Sequence, residues 1–481
     1  MRRVIAFFTC LELVVTTTGC RAPSAHQSEI AASQAPRAVH TQLDENHRIA
    51  LSAKAETVSP VSFEKSTTDE SSSDPALQTP LDSEAELRLD QLIADVQSVH
   101  PSIDAMVSAW QAAAQRYPQA VSLEDPMFGA TLAPASFGSR DVESAYAIEA
   151  SQKLPWHGKR ALRGAVARAA ADSASRDIET TRQKLAELAE LSFWDYYVSR
   201  RLLELNDQNS EILQSFRANA ESRYQTGLVT QQDVLQADLD LANLEQRRIE
   251  LQRMEKVASG RINVLLRRSP ADPLPRPAEP ADRNVSLPDE HLLLAVAVSQ
   301  RPEVSAAAAR IREEQAGLAI ACKQYYPDAE VFGRYDTFWQ PRDTQSDLQG
   351  QLGARINLPV YEARLNAAVC EARFQVAKAR AEYDQLVLDV QVDVQAAYEQ
   401  VIESQRTVEL YSTKLVPVAE QNVDAARANY DTSRISFLEL AITQRQLVDA
   451  RERLLEAQVE LLRRAATLRR VSGGSIPESS G

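Results

Sequence analysis

Glycine is scarce in this chain, at 14 of 481 residues, and aromatic side chains make up only 6%. Ala, Leu, Glu, Gln and Arg fill long stretches instead, a composition that points to long helices rather than to an ordinary mixed globular domain. The length allows two or three average domains or one large repeated one. Clustered basic residues are also missing. A formal net charge of -14 without a basic patch argues against a nucleic-acid partner, because phosphate binding needs gathered Lys and Arg. Beyond residue 20 no apolar run approaches the ~20 residues of a membrane-spanning helix, so insertion into a bilayer has to use β-strands or a lipid anchor.

Catalytic signatures are absent as well. The sequence holds no His-Glu-x-x-His, no Gly-x-x-x-x-Gly-Lys and no Gly-x-Ser-x-Gly, so zinc, phosphate-cradling and nucleophile-elbow chemistry find no support. His26, His40, His47, His100, His157 and His291 are scattered, none with another histidine three or four residues on. No catalytic, cofactor or metal site is therefore expected.

What is present begins with a targeting pattern. Arg2 and Arg3 precede an apolar stretch from Val4 to Val15, and Thr17, Thr18 and Gly19 lead to Cys20. Residues 1–19 look like a bacterial lipoprotein signal peptide, with Cys20 lipidated as the mature N-terminus. Arg21, where aspartate would hold a lipoprotein back, resembles those sent on to the outer membrane. The alternative is a plain secretory signal followed by an incidental cysteine. Residues 20–82 are rich in Ser, Thr, Ala, Glu and Pro, with Phe63 the one aromatic. Such a segment buries too little apolar surface to offset its ordering entropy, and reads as a disordered tether.

The body then repeats itself. His100-Pro101 corresponds to Arg301-Pro302, Tyr117-Pro118 to Tyr326-Pro327, and Leu154-Pro155 to Leu358-Pro359. Tyr224 through Thr230 corresponds to Tyr430 through Ser436. The separations are 201, 209, 204 and 206 residues. So long a period excludes the usual 20–50-residue solenoids and implies a duplicated domain. The expected division is a first repeat at 83–268, a proline-rich joint at 269–290, a second repeat at 291–471 and a flexible tail at 472–481.

Each repeat carries one very long helix. From Arg364 to Arg427 there is no glycine, and the first proline is Pro417. Leu365, Val369, Ala372, Val376, Ala379, Tyr383, Leu386 and Val390 follow one another in steps of four and three. Val394, Ala397, Val401, Val408, Tyr411, Leu415 and Val418 continue the line. This is a coiled-coil seam, with the extra four-residue step at Val390–Val394 a stutter that unwinds the supercoil locally. The equivalent helix of the first repeat spans about Lys159 to Tyr224, and each covers roughly 100 Å at 1.5 Å per residue. Breaks at Thr226-Gly227 and Thr432-Ser433 end them. Thr230 and Ser436 read as N-caps of return helices at 231–267 and 437–471, giving antiparallel pairs. Gly227 suits the left-handed C′ position, and Ser433 is a poorer choice there.

Between the prolines of each repeat lies a pair of strand-like runs. Leu348, Gly350, Leu352, Ala354, Ile356 and Leu358 alternate with polar neighbours. So do Val331, Tyr335, Thr337 and Trp339, although Phe332 and Phe338 blur the polar side, and so do Val142, Tyr146, Ile148 and Ala150. The same alternation serves a sheet with one wet face and a transmembrane barrel. No amphipathic layer is left over to cover the apolar faces, which favours the barrel. Four strands are too few to close one, and an open sheet in lipid leaves edges unpaired, so a membrane setting requires oligomers. Cys322 and Cys370 flank the second hairpin at depths of about 7 and 16 Å along their helices, a mismatch that makes two buried thiols the expectation rather than a bond.

Taken in order, these motifs resemble the TolC-type outer membrane efflux family, in its lipoprotein branch. Gln152-Lys153-Leu154-Pro155 and Asn357-Leu358-Pro359-Val360-Tyr361 match its strand-to-helix junctions. Arg223 through Gly227 and Ile435 through Leu440 match its helix tips, and Ser299-Gln300-Arg301-Pro302-Glu303 its midway segment. The likeness spans roughly 83–471. It implies a mainly α fold with a small β portion: long antiparallel coiled-coil helices plus four β-strands per protomer, trimerised into a β-barrel continuous with an α-helical tunnel. It further implies docking to a periplasmic adaptor (membrane fusion) protein and through it to an inner-membrane pump, with passive conduction across the outer membrane. Asp233, Asp431 and Glu439 are the candidates for the periplasmic aperture, where a ring of carboxylates would favour cations. The competing reading of Asp233 and Glu439 is that of helix N-terminal acids. Gly227, Leu228, Val229, Ile435, Ser436 and Phe437 are candidates for adaptor contact by position. A lipid-tethered periplasmic coiled-coil scaffold without channel activity is the alternative function.

Overall fold

A computed structural model describes residues 86–132, 144–227, 229–280, 285–338, 349–432 and 434–474. The signal peptide, Cys20 and the tether lie outside the described residues. So do Val142, Leu228, Trp339, Leu348, Ser433 and the tail from 475.

The first half runs β1 (Glu86–Leu87), α1 (Leu89–Val99), α2 (Pro101–Ala114), α3 (Arg116–Val121), β2 (Met127–Leu132), β3 (Ser144–Leu154), α4 (Lys159–Gln225) and α5 (Gln231–Leu265). The second half follows with β4 (Arg276–Pro277), α6 (Glu290–Gln300), α7 (Pro302–Lys323), β5 (Ala329–Phe338), β6 (Gln349–Ile356) and α8 (Glu362–Leu410). A π-helical turn (Tyr411–Leu415), α9 (Val416–Asp431) and α10 (Phe437–Val471) complete it. A short strand, a run of helices, two strands, a long helical stretch and a return helix thus occur twice in that order.

Prolines set the register between the halves. Pro101 and Pro302 both occupy the first turn of their helices, where a missing N–H costs nothing. Pro118 corrects one of the four sequence correspondences. It cannot donate to the carbonyl of Ala114, so the helix breaks at Gln115 and restarts with Pro118 inside the first turn of α3. Pro327 instead stands in the turn before β5, and its counterpart is Pro126, immediately before β2. That removes the outlying separation of 209 residues.

The second long helix is not continuous either. Pro417 would clash with the carbonyl four residues before it, and the π-helical turn at Tyr411–Leu415 takes up the strain. One extra residue in that turn rotates the seam. Up to Val401 the expected residues are buried or half-buried, including both sides of the stutter, Val390 and Val394. Beyond the π-turn the buried line is Val423, Ala426 and Tyr430, while Leu415 and Val418, expected in the seam, are exposed.

The long helices form one layer in the order α5, α4, α10, α8, with α9 continuing α8 against α10. Three clusters of buried side chains hold it. One gathers Phe193, Trp194, Tyr196 and Tyr197 of α4 with Leu92 and Val96 of α1 and Ile262 of α5. A second joins Leu293 and Ala297 of α6 to Val390–Val401 of α8 and Leu461 and Leu468 of α10. The third lies at the helix tips. A ladder of ion pairs closes α10 onto α4: Arg470 to Glu187 at 2.6 Å, Arg469 to Glu190 at 2.8 Å and Arg463 to Asp195 at 2.5 Å. Burial lifts the Glu190 carboxyl above its ordinary value against the opposing pull of Arg469. Cys322 is exposed and unbonded and Cys370 half-buried, so neither is the core thiol the sequence led us to expect.

Candidate functional site

Four strands make one antiparallel sheet in the order β2-β3-β5-β6. Its register decides which side chains share a face, because directly paired residues point the same way. Phe128 pairs with Ala150, Ala130 with Ile148 and Leu132 with Tyr146. Ile148 in turn meets Tyr335, and Gln152 meets Val331. Tyr335 meets Gly350, Gly333 meets Leu352, Val331 meets Ala354 and Ala329 meets Ile356. Across all four strands this face carries no charged residue. Phe128, Leu132, Ile148, Leu352 and Ile356 on it are all more than half exposed.

Among the described side chains every charge falls on the opposite face: Glu149, Lys153, Glu330, Arg334 and Arg355. Arg355 reaches Glu149 at 2.8 Å and lies 4.2 Å over the ring of Phe332. That accounts for the phenylalanine that blurred the polar side of the sequence pattern. Phe332 fits because its cross-strand partner is Gly353, where an added Cβ would stand 2.4 Å from the ring. Strand β2 was not resolved residue by residue in the sequence. Adjacent Met127 and Phe128 hide its alternation.

Where strands turn into helices the two halves are tied together. Lys159, at the start of α4 and buried, donates to the Asp328 carboxylate at 2.8 Å and to the Tyr326 carbonyl at 2.9 Å. The Trp156 N–H donates to the same carboxylate at 2.8 Å, and Asp328 and Asn357 exchange hydrogen bonds. Burial by itself would raise the Asp328 carboxyl, but the Lys159 and Trp156 hydrogen bonds, with the Lys159 and Arg163 charges, hold it below its ordinary value. A carboxyl so depressed stabilises the fold above about pH 3.8, and that contribution disappears as pH falls through the depressed value. Lys159→Met is expected to cost about 1.5 kcal/mol, the low end for a charge-assisted bond because Asp328 is partly exposed. Comparing acid unfolding of the two forms checks this: the wild-type advantage should vanish at low pH. Trp156 stacks on Tyr326 at 5.6 Å between centroids, and with Tyr325 and Tyr361 these exposed rings surround the junctions.

At the other end lie the two helix tips. Gly227 has φ +73°, the left-handed conformation that ends α4. Ser436 caps α10: its hydroxyl accepts from the Glu439 N–H, and the Glu439 carboxylate accepts from the Ser436 N–H, both at 3.3 Å. This reciprocal box occupies Glu439 as a capping acid. Thr230 holds the matching position before α5, but its side chain makes no cap bond. Ser436→Ala is expected to destabilise the α10 end by about 1 kcal/mol, read as faster amide exchange at 436–440.

Beneath the caps Leu213, Phe216 and Ala220 of α4 pack with Ala237, Tyr430, Phe437 and Leu440. Phe437 is fully buried and meets Tyr430 edge-on at 6.0 Å, so it is core and not the contact surface expected of it. Gly227 and Ser436 are exposed, Val229 and Ile435 half-buried. Two residues outside the aperture and adaptor candidates, Arg223 and Tyr430, bridge the halves here. The Arg223 guanidinium lies 4.6 Å over the Tyr430 ring and donates to the Tyr430 carbonyl at 3.0 Å. Burial, with Asp233 and Asp431 nearby, raises the Tyr430 phenol above its ordinary value while Arg223 opposes. The charges of two of the three aperture candidates therefore act on one phenol, and the Glu439 carboxylate accepts from the N–H of its own cap. The repeat held a clue: Tyr224 and Tyr430 are equivalents, yet only Tyr430 is buried.

A sheet with one uncharged face is set at the end of two ~100 Å helical stretches, each paired with a return helix about half as long, and solved outer-membrane channels share this architecture. The outer-membrane channel OprN superposes with a TM-score of 0.67 at 19% identity, covering 80% of this chain and 90% of that one. CusC, solved in a study of folding and transmembrane channel formation, gives 0.70 at 16%, covering 80% and 92%. The outer membrane protein VceC from Vibrio cholerae gives 0.67 at 17%, covering 81% and 96%. No curated relative matches significantly. Residues 293–474 match the family model described as outer membrane efflux protein.

Proposed function

We propose that the chain is the outer-membrane channel of a tripartite efflux system, working as a homotrimer. Three sheets close a twelve-stranded barrel in the outer membrane, with the uncharged faces against lipid and the charged faces lining water. The helices continue it as a tunnel through the periplasm, with the tips meeting an adaptor protein coupled to an inner-membrane pump. Conduction is passive, and the pump supplies the energy. Cys20 carries the lipid anchor at the head of the tether. Asp233 and Asp431, one from each tip, line the aperture.

The observation that carries this reading is the sheet: an uncharged face across four strands, with both edge strands unpaired among the described residues. Among the described residues no helix is long and apolar enough to cross a membrane, so the strands are the elements suited to lipid. The rings of Trp156, Tyr325, Tyr326 and Tyr361 at the strand–helix junctions suit the membrane–water interface.

Single-channel conductance of detergent-purified protein in planar bilayers, with its oligomer mass, tests the proposal. Discrete conductance from a trimer is expected. Block by multivalent cations should be relieved roughly tenfold or more in Asp233→Ala/Asp431→Ala, on the order of 1.4 kcal/mol of binding. A water-soluble, non-conducting monomer would overturn it and leave the lipid-tethered scaffold.

A further inference from the structure

The four long helices share one open pocket of ≈ 470 Å³, roughly 30–40 Å above the helix tips at 1.5 Å per residue. Its floor is apolar, made by Val198 and Leu202 of α4, Met254 of α5 and Ala457 of α10. Tyr411 of the π-helical turn closes the side toward α8, and such turns recur at functional sites. Packed helices stand about 8–10 Å apart, so a flat layer would hold α5 and α8 too far apart to reach one pocket. The layer therefore curves, and the pocket lies on its concave face. Ala457 and Glu460 agree with this. They stand two and a half turns, about nine residues, before Ala466 and Arg469, which line the groove against α1. The pocket thus opens away from α1, on the side that faces the tunnel when the layer closes into a ring.

The polar groups at the pocket divide into committed and free. Arg463 is held by Asp195 at 2.5 Å and by Glu460 at 3.4 Å. Arg453, Glu456 and the Tyr411 phenol line the pocket without an ion-pair or hydrogen-bond partner among the described residues. Arg453 and Glu456 are exposed, and Tyr411 is half-buried. Asp449, Glu452 and Glu456 follow one another on one face of α10 at steps of three and four. Burial raises the Glu452 carboxyl against the pull of Arg247, and the Asp449 and Glu456 charges add to the rise. The rim is therefore negative beside an aromatic ring and a thioether. A cation with an apolar body satisfies all three, its charge meeting the carboxylate and the ring face and its hydrocarbon the floor. An anion would find Arg453 alone, three residues from Glu456.

We infer that this pocket binds a small lipophilic organic cation, with Glu456 as its counter-ion and the Tyr411 ring as its cation–π face. The volume lies within the range of small-molecule sites. The site is built within one chain, and it rests on the channel reading only for opening into the tunnel. Arg453 opposes the bound charge, so its removal and that of Glu456 act in opposite directions.

Binding of tetraphenylphosphonium to the detergent-purified full chain tests this, by equilibrium dialysis with empty micelles subtracted and oligomer mass measured alongside. Saturable binding at one site per chain is expected. Glu456→Gln, an exposed substitution that leaves folding intact, should weaken it about two- to fivefold, and Tyr411→Leu about as much. Arg453→Gln should tighten it. Glu371→Gln, an exposed acid on the upper part of α8, should leave it unchanged. Tetraphenylborate, the anion of the same shape, should show no saturable binding when dialysed alone. No saturable binding of the cation, equal binding by Glu456→Gln, or saturable binding of the anion that Glu456→Gln strengthens would each overturn the site. A trimer that binds no tetraphenylphosphonium would overturn the pocket and leave the channel standing. A water-soluble monomer that binds it would keep the pocket and overturn the channel.

Discussion

On the trimeric channel proposed above, Leu352→Arg is expected to prevent assembly in the outer membrane. Leu352 is 92% exposed in the protomer, so on a water-facing sheet the substitution would change stability by no more than about 0.5 kcal/mol. Against lipid near the middle of a barrel strand, arginine costs about 2–4 kcal/mol, and a trimer incurs that cost three times. Gly333, its cross-strand partner, has no side chain with which to shield the charge. Heat-modifiable trimer on gels and conductance in bilayers should both be lost. Gln351→Arg, one position away on the charged face, should assemble normally and change only ion preference. Normal assembly of Leu352→Arg would mean that the uncharged face does not meet lipid.

Phe437→Ala is expected to loosen both helix tips at once. The ring fills the space among Tyr430, Leu440 and the α4 residues Leu213 and Phe216, and removing a buried phenylalanine costs about 3–5 kcal/mol. The loss should stay local, because the two larger clusters lie far up the helices and share no residue with the tip. Limited proteolysis would then cut near 225–232 and 430–437 in the variant while the rest of the body resists. Phe437→Leu, which keeps most of the volume, should cost less than about 1.5 kcal/mol. Were Phe437 a docking residue, alanine would weaken adaptor binding and leave protease resistance unchanged.

The long helices were legible because their seam is written in contiguous Ala, Leu and Val at steps of three and four, which need no distant information. The reading failed where a single residue acts on its neighbours' backbone. Pro417 gives no sign in the side-chain pattern that the helix absorbs it as a π-turn, so Leu415 and Val418 were placed inside. The Tyr117-Pro118 and Tyr326-Pro327 pairs look alike in sequence, but one proline sits in a helix's first turn and the other before a strand. The alternation of β3, β5 and β6 gave the uncharged face correctly, whereas Phe332 made sense only through Gly353 and Arg355, more than twenty residues away. At the tips, Ser436 and Glu439 stand three residues apart and form a local cap. The Arg223–Tyr430 bridge spans 207 residues, and no local pattern announces such a contact.

The ion-pair ladder between α10 and α4 has a consequence for how the molecule comes into being. Glu187, Glu190 and Asp195 are made early, and their arginine partners follow some 270–290 residues later. Val459 of α10 completes the aromatic cluster of the first half in the same way. Contacts of such sequence separation form slowly, because closure of the long intervening chain precedes any gain from the contact. The first half on its own holds Glu190 buried without its arginine and a cluster missing one wall. The chain therefore stays unfinished until α10 has been synthesised, a delay that suits the outer-membrane destination proposed above.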